Sequence, residues 1–341
     1  MKKIDNTKKT NLVKKLFVKL CRIIGFEIID QSNLNLPVSS RSATDNLGSI
    51  GKNIISIPLG ETQISRPVRS LDIIIKTCTA VNLVTQNKKR IFEEEKSEYT
   101  FRTIKSLIQS LKFDKEILER IKVKIYVVDH NSKKEDLTKI EDIIKTSDIN
   151  FEIINLDLKK FNQIKVLNKN NPVIENNMKA TMASILTSFN IAKKSDDLIY
   201  FVEDDYIHKK ESLSEMIITY EKIASEIDSE LFICPVDYPY LYKKMDNSKI
   251  LIGNRYHWRT VNESLLTFLT SKILIDKYWG ELVSMAEDEF SPFETPLHKI
   301  YEKELCLSPV PSLAMHCTNI NSVFGLSPNI NWKKLWDENK I

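Results

Sequence analysis

After residue 69, apolar and polar positions follow alternately the period of a strand and the period of a helix. The short apolar runs that predict strands are 70–79, 122–132, 150–157 and 198–202. Between them, apolar residues at helical spacing predict helices over 91–111, 134–146 and 178–192. Strands that alternate with helices form parallel sheets with helices on both faces. The pattern therefore predicts an α/β fold with a Rossmann-type, mostly parallel sheet.

The first 69 residues have a different pattern. Apolar residues recur at helical spacing over 11–26, and residues 31–69 are rich in Ser, Asn and Pro, as in an extended arm. Residues 1–28 carry eight Lys or Arg side chains against two acids. The helix either packs on the rest of the chain or rests on an anionic membrane surface.

Composition removes several classes of function. The net charge of +4 is small, and no basic motif with interleaved aromatics is present, so we expect no nucleic-acid partner. The seven glycines form neither a dinucleotide-binding fingerprint nor a P-loop. Five cysteines without a C-x-x-C pair suit reduced thiols in the cytoplasm. No apolar run is long enough to predict a transmembrane helix.

Polar side chains end three of the predicted strands. They are Thr77 and Thr79, Asp129 and Asn131, and the acidic run Glu203 to Asp205. Ligands of such sheets bind beyond the carboxyl ends of the strands. Adjacent carboxylates repel one another unless a cation or hydrogen-bond donors satisfy them, and Mg²⁺ or Mn²⁺ with phosphate oxygens is one solution. The alternative is a solvated loop or a cap on the following helix.

This order of strands and strand ends over roughly 70–210 resembles the nucleotide-sugar-binding half of GT-A glycosyltransferases, especially family 2-like enzymes. The resemblance implies that Thr77 ends the first strand of the nucleotide site and that Asp129 contacts the base. The family's D-x-D motif is matched by Glu203-Asp204-Asp205, which reads E-D-D. By this resemblance Asp205 binds the metal, and Glu203 or Asp204 faces the ribose.

The second half of the chain supplies candidates for the acceptor side. Aromatic residues and arginines are dense between 231 and 279, where they either contact sugar and diphosphate or pack on a sheet. The apolar run 265–274 resembles the strand that follows the acceptor loop in GT-A enzymes.

The acidic segment 285–294 is where the resemblance places the catalytic base. Asp288 is the first candidate and Glu287 the second, with a solvated acidic loop as the alternative. Residues 308–317 read as one strand ending in His316, which the resemblance makes a further metal or diphosphate ligand. A purely structural histidine is the alternative.

Together these features predict a glycosyltransferase that uses Mn²⁺ or Mg²⁺. It would move a sugar from a nucleoside-diphosphate sugar to a hydroxyl of a glycan or lipid-linked acceptor, in surface polysaccharide synthesis. The predicted parts are a basic arm (1–69), a GT-A-like domain (70–320, divided at 210 into donor and acceptor sides) and a C-terminal tail (321–341). We expect a cytoplasmic protein with peripheral contact to the inner membrane face through residues 1–28.

Two other classes stay open at this point. One is a sugar nucleotidyltransferase, which usually has a Gly-rich phosphate loop after its first strand, and residues 76–90 contain no glycine. The other is a non-catalytic glycan- or membrane-associated protein on the same fold.

Overall fold

The computed structural model describes residues 12–26, 54–57, 60–80, 92–167, 171–243, 247–317 and 326–341. The strands in these ranges are β1 Ile54–Ile57, β2 Gly60–Gln63, β3 Ser70–Thr77, β4 Lys122–Asp129, β5 Asn150–Asn155, β6 Leu198–Glu203, β7 Tyr206–His208, β8 Phe232–Ile233, β9 Ile250–Ile252, β10 His257–Thr260, β11 Phe268–Ser271, β12 Cys306–Val310 and β13 Ala314–His316. The helices are α1 Leu12–Ile23, α2 Lys96–Phe113, α3 Lys115–Arg120, α4 Lys134–Lys145, α5 Pro172–Ala192, α6 Ser212–Ile227, α7 Lys272–Lys277, α8 Trp279–Glu287, α9 Thr295–Tyr301 and α10 Trp332–Glu338.

A nine-stranded sheet in the order β5-β4-β3-β6-β11-β8-β12-β10-β9 forms the centre of the molecule. The β5-β4-β3-β6 half is entirely parallel. Helix α5 packs on β3 and β4, while α2 packs against α4 and α6. β3 and β6 are nearly continuous apolar runs because helices cover both of their faces. The predicted α/β fold with helices flanking the sheet is confirmed.

The helices predicted within this half are also present, with shifted ends. Helix α5 begins at Pro172, six residues before the predicted start at 178. Asn171 caps it, since its side-chain oxygen accepts a hydrogen bond from the Val173 N–H over 3.0 Å. Proline suits the first turn because it has no N–H that would need a partner there.

The other half of the sheet is mixed. β11 is antiparallel to β6 and β8, β12 is parallel to β8, and β10 is antiparallel to β12 and β9. The apolar run 265–274, predicted as one strand, is strand only over β11 and continues as α7. The hydroxyl of Ser271 accepts a hydrogen bond from the Leu274 N–H and so starts the helix.

The prediction of a single strand over 308–317 was wrong. β12 runs in the main sheet, but Pro311 cannot donate to a strand ladder, and the chain leaves the sheet there. It continues as β13, which pairs antiparallel with β7 in a separate two-stranded sheet, with His316 opposite Tyr206. The predicted strand end at His316 is confirmed.

Both flanks of the predicted 70–320 domain contain packed residues. Ile64 and Val68 are buried, and Arg66 is ion-paired with Asp197 and with Glu230. At the other end of the chain, α10 packs on α2, where the guanidinium of Arg102 lies 4.0 Å from the ring of Trp336. Among the described helices, none is both long and apolar enough to cross a bilayer.

Candidate active site

The parallel register aligns the polar strand ends predicted as a site. Thr77 lies opposite Asp129 in the β3–β4 pair, and Lys76 lies opposite Glu203 in the β3–β6 pair. The carboxyl ends of β3, β4 and β6 therefore meet at one edge of the sheet, where ligands of open α/β sheets bind.

Thr77 and Asp129 are bonded to each other. The Thr77 hydroxyl donates to one carboxylate oxygen of Asp129 over 2.7 Å, and the Ser132 N–H donates to the other over 3.1 Å. Asn131 between them has a φ of 58°, a left-handed conformation that asparagine tolerates. Asp129 is only 2% exposed. Thr77 and Asp129 thus fix the turn after β4. The contact of Asp129 with a nucleotide base stays a prediction.

Asp204 links the end of β6 to the first turns of α2. Its carboxylate is ion-paired with Lys96 and accepts hydrogen bonds from the Thr100 hydroxyl over 3.0 Å and the Cys78 N–H over 3.2 Å. Three donors satisfy a buried carboxylate and compensate its desolvation. The geometry gives Asp204 a structural connection between β3, β6 and α2.

Glu203 is more exposed than Asp204. Its carboxylate lies 3.2 Å from the Lys76 ammonium, and its side chain is 28% exposed. Its backbone N–H donates to the Thr267 hydroxyl over 3.1 Å, which joins β6 to the segment before β11. Glu203 can therefore offer an oxygen to a ligand without losing buried partners.

Asp205 and His316 are brought together by the small β7–β13 sheet. The Asp205 Oδ2 atom lies 3.6 Å from His316 Nε2, and the Cys317 N–H donates to the Asp205 carbonyl over 2.8 Å. The His316 ring stacks on Tyr206 with 4.5 Å between ring centroids and 16° between ring planes. The stacking and the strand pairing together fix the direction of the imidazole.

A carboxylate and an imidazole that face each other form a partial ligand set for a divalent cation. The described residues contain no group of three His, Cys or acidic side chains arranged to hold a metal. Mg²⁺ and Mn²⁺ commonly keep several waters and take phosphate oxygens in addition to one or two protein ligands. The Asp205–His316 pair fits that kind of site, in which a substrate phosphate completes the coordination.

The predicted base Asp288 is an exposed carboxylate with a lysine partner. Its side chain is 47% exposed and pairs with the Lys165 ammonium over 3.0 Å. The backbone of Glu287 also bonds to this segment, since its carbonyl accepts from the Lys165 N–H over 2.7 Å. Within the described part of the chain, no hydrogen bond or ion pair connects Asp288 to the acids at the end of β6.

Glu294, in the same acidic segment, is the functional candidate that the sequence analysis did not select. It precedes α9 and is half-buried. Burial, helped by the charge of Glu203, raises the pKa of Glu294 to about 7, although Lys76 and His316 oppose the increase. The charged groups that influence the pKa of Glu294 are thus residues at the ends of β3, β6 and β13. In the sequence, Glu294 could have been recognised only as an acid just before the start of a helix. The segment 285–294 contains several acids, so this feature did not single out Glu294.

The aromatic residues of 231–279 divide between packing and the site. Tyr238 reaches both, because its hydroxyl bonds to that of Tyr206 over 2.8 Å and its ring lies edge-on to His316. Trp258 is fully buried, so for this residue the packing alternative is confirmed. The Arg259 guanidinium pairs with Asp237 over 2.6 Å.

A cavity of about 280 Å³ lies at the opposite end of the strands, where Arg66, Arg69, Asp197 and Lys272 contribute to its lining. Arg66 is already bonded to Asp197 and Glu230 there. These ion pairs attach the segment before β3 to the domain.

Neither a family model nor a curated protein matches this sequence. Among solved structures, S. aureus TarS 1-349 is 15% identical over 61% of this chain and 48% of that chain, with a TM-score of 0.34. An active-site mutant of LgtC is 12% identical over 67% of this chain and 70% of that chain, with a TM-score of 0.37. UDP-glucose pyrophosphorylase complexed with UDP-glucose is 8% identical over 80% of this chain and 98% of that chain, with a TM-score of 0.38. This chain thus spans about half of the TarS structure.

Proposed function

We propose that this protein is a metal-dependent glycosyltransferase of the GT-A type. It would transfer a sugar from a nucleoside-diphosphate sugar to a hydroxyl of a glycan or lipid-linked acceptor, in polysaccharide synthesis in the cytoplasm. The observation that carries the proposal is the Asp205–His316 pair, which directly follows Glu203 at the carboxyl end of β6 in a parallel half-sheet.

The donor would lie along the ends of β3, β4 and β6. Thr77 and Asp129 shape the turn against which the nucleotide rests, and Glu203 offers a carboxylate oxygen to the ribose hydroxyls. Asp204 holds α2 against the strand ends through Lys96 and Thr100.

Asp205 and His316 would hold Mn²⁺ or Mg²⁺ together with diphosphate oxygens and water. When bound, the cation neutralises charge that develops on the leaving diphosphate. The stacked Tyr206 keeps the His316 ring from rotating, and the hydrogen bond from the Cys317 N–H to the Asp205 carbonyl fixes the backbone of Asp205.

A carboxylate must take the proton of the acceptor hydroxyl if that oxygen attacks the sugar directly. As the new carbon–oxygen bond forms, the bond to the diphosphate breaks and its electron pair leaves with the nucleoside diphosphate. We propose Glu294 as this base, because a carboxyl with a pKa of about 7 is partly ionised at neutral pH and still basic enough to accept a proton. Asp288 and Glu287 remain the second and third candidates.

The test is an incubation of the full chain with Mn²⁺, a panel of nucleotide sugars and a panel of glycan and lipid-linked acceptors. Release of free nucleoside diphosphate with a lengthened acceptor supports transfer. Release of pyrophosphate from a nucleoside triphosphate and a sugar phosphate would instead identify a nucleotidyltransferase. Calorimetry that detects no metal-dependent nucleotide binding would favour a non-catalytic protein.

A further inference from the structure

Helix α1 presents an apolar face that no described part of the protein covers. The side chains of this face are 58 to 76% exposed, and they are Leu16, Phe17, Leu20, Ile23 and Ile24. Their spacing of three and four residues puts them on one side of the helix. The structure therefore does not show α1 packing this face against the described part of the domain.

The end of α1 adds a further apolar side chain to this region. Gly25 adopts a φ of 87°, the Gly25 N–H bonds to the Arg22 carbonyl, and the Phe26 N–H bonds to the Cys21 carbonyl over 2.9 Å. This pair of bonds is the Schellman motif, which closes a helix through a left-handed glycine. Phe26 follows directly and is 69% exposed.

The charges of the segment have one sign. Between Asp5 and Glu27 the sequence has six Lys or Arg residues and no acid. On the helix, Arg22 lies opposite the apolar face and Lys19 at its border, and both are exposed. A lysine at such a border can keep its ammonium in water while its alkyl chain covers apolar surface.

We propose that α1 and Phe26 lie in the headgroup layer of an anionic lipid bilayer. The exposed face would enter the acyl boundary, and Lys19 at its border would contact lipid phosphates. Twelve residues with several cations cannot span a bilayer. A second copy of α1 would cover the face too, but it would bring a second basic segment against the first. Charge complementarity therefore favours the anionic surface.

This surface contact stands independently of the transfer reaction. If the proposed function also holds, membrane contact would bring the site to lipid-linked acceptors. Sedimentation with vesicles tests the contact without any requirement for transfer, so the failure of one proposal is distinguishable from the failure of the other.

The experiment compares vesicles of phosphatidylcholine alone with vesicles that also contain phosphatidylglycerol. We expect the full chain to sediment with the anionic vesicles at low salt and to be released at about 1 M salt, where the Debye length falls to about 3 Å. Leu20→Glu should abolish retention. Ile273→Glu changes a side chain of similar exposure on α7, 58% against 61%, and should not affect it.

Charge reversal provides a second pair of variants. Lys19→Glu should weaken retention by about tenfold or more, since each surface cation contributes about fivefold and the sign is inverted. Lys115→Glu, at an exposed position of α3, should have no effect. Unchanged thermal unfolding of Leu20→Glu shows that the loss is not a folding defect.

Several results would overturn the proposal. They are equal retention on neutral vesicles, no retention on either kind, or full retention of Leu20→Glu. A concentration-dependent dimer in light scattering that Leu20→Glu converts to monomer would assign the face to a second copy instead.

Discussion

The carboxylate of Asp205 and the imidazole of His316 face each other at 3.6 Å across the start of the β7–β13 pair. Two segments far apart in the sequence meet at this point. β7 follows directly from the buried strand β6, and β13 is positioned by the break after β12. The geometry of the pair therefore depends on the main sheet, and loss of either side chain should leave that sheet intact.

Asp205→Asn and His316→Gln should each lower sugar transfer by about a hundredfold or more, because each removes one of the proposed metal ligands. Calorimetric titration with Mn²⁺ in the presence of a nucleoside diphosphate should show the same loss. Asp276→Asn and His257→Gln change the same residue types at surface positions and serve as controls. If Asp205→Asn and His316→Gln both bind Mn²⁺ as tightly as the wild type, these two residues are not the metal ligands.

Asp204 should behave differently from its neighbour. Asp204→Asn loses the ion pair with Lys96 in a mostly buried position, so it should lower the free energy of unfolding by about 2–4 kcal/mol. Asp205→Asn should lower it by less than Asp204→Asn does, because the carboxylate of Asp205 is 3.6 Å from His316 whereas that of Asp204 is directly ion-paired with Lys96. Urea unfolding of both variants at neutral pH measures the difference. Equal stability of the two would show that Asp204 does not have the structural role that its contacts indicate.

The sequence predicted the parallel half of the sheet well, because its signals are local. β3 and β6 are apolar runs that must be buried on both faces, and their polar ends at Thr77 and Glu203 follow directly. Parallel pairing then aligns those ends without further information. The position of the candidate site at the sheet edge was accordingly accessible from the sequence.

The second half of the chain was less predictable, because long-range contacts decide its structure. The run 265–274 changes from strand to helix at Ser271, and its apolar pattern is compatible with both. Likewise, Asp288 and Glu294 are similar acids in one short segment. Only the folded chain shows that Asp288 pairs with Lys165, while burial and the charge of Glu203 raise the pKa of Glu294.

Glu294→Gln should lower the rate of transfer by about 10²–10⁴-fold, because the amide cannot accept the acceptor proton. Asp288→Asn should retain activity within a few-fold of wild type. In the wild-type protein, the rate should rise with pH through about 7, where Glu294 becomes a carboxylate. Initial rates with saturating donor over a pH series provide the measurement. Collapse of activity in Asp288→Asn with full activity in Glu294→Gln would restore the assignment made from the sequence.

The same residue should make the wild-type protein less stable above neutral pH. The pKa of Glu294 is about 7 in the folded protein against an ordinary value of 4.5, so the unfolded chain loses its proton first as the pH rises. The contribution of protonated Glu294 to the free energy of unfolding is therefore fully present below about pH 4.5 and is lost progressively up to about pH 7. Since Glu294 is only half-buried, we expect Glu294→Gln to exceed wild type by about 1–2 kcal/mol at pH 8 and to match it near pH 4. Denaturant unfolding at both pH values measures this, with Glu302→Gln at an exposed position as the control. A variant that is no more stable than wild type at pH 8 would show that the carboxylate of Glu294 is well solvated, which would also count against its role as the base.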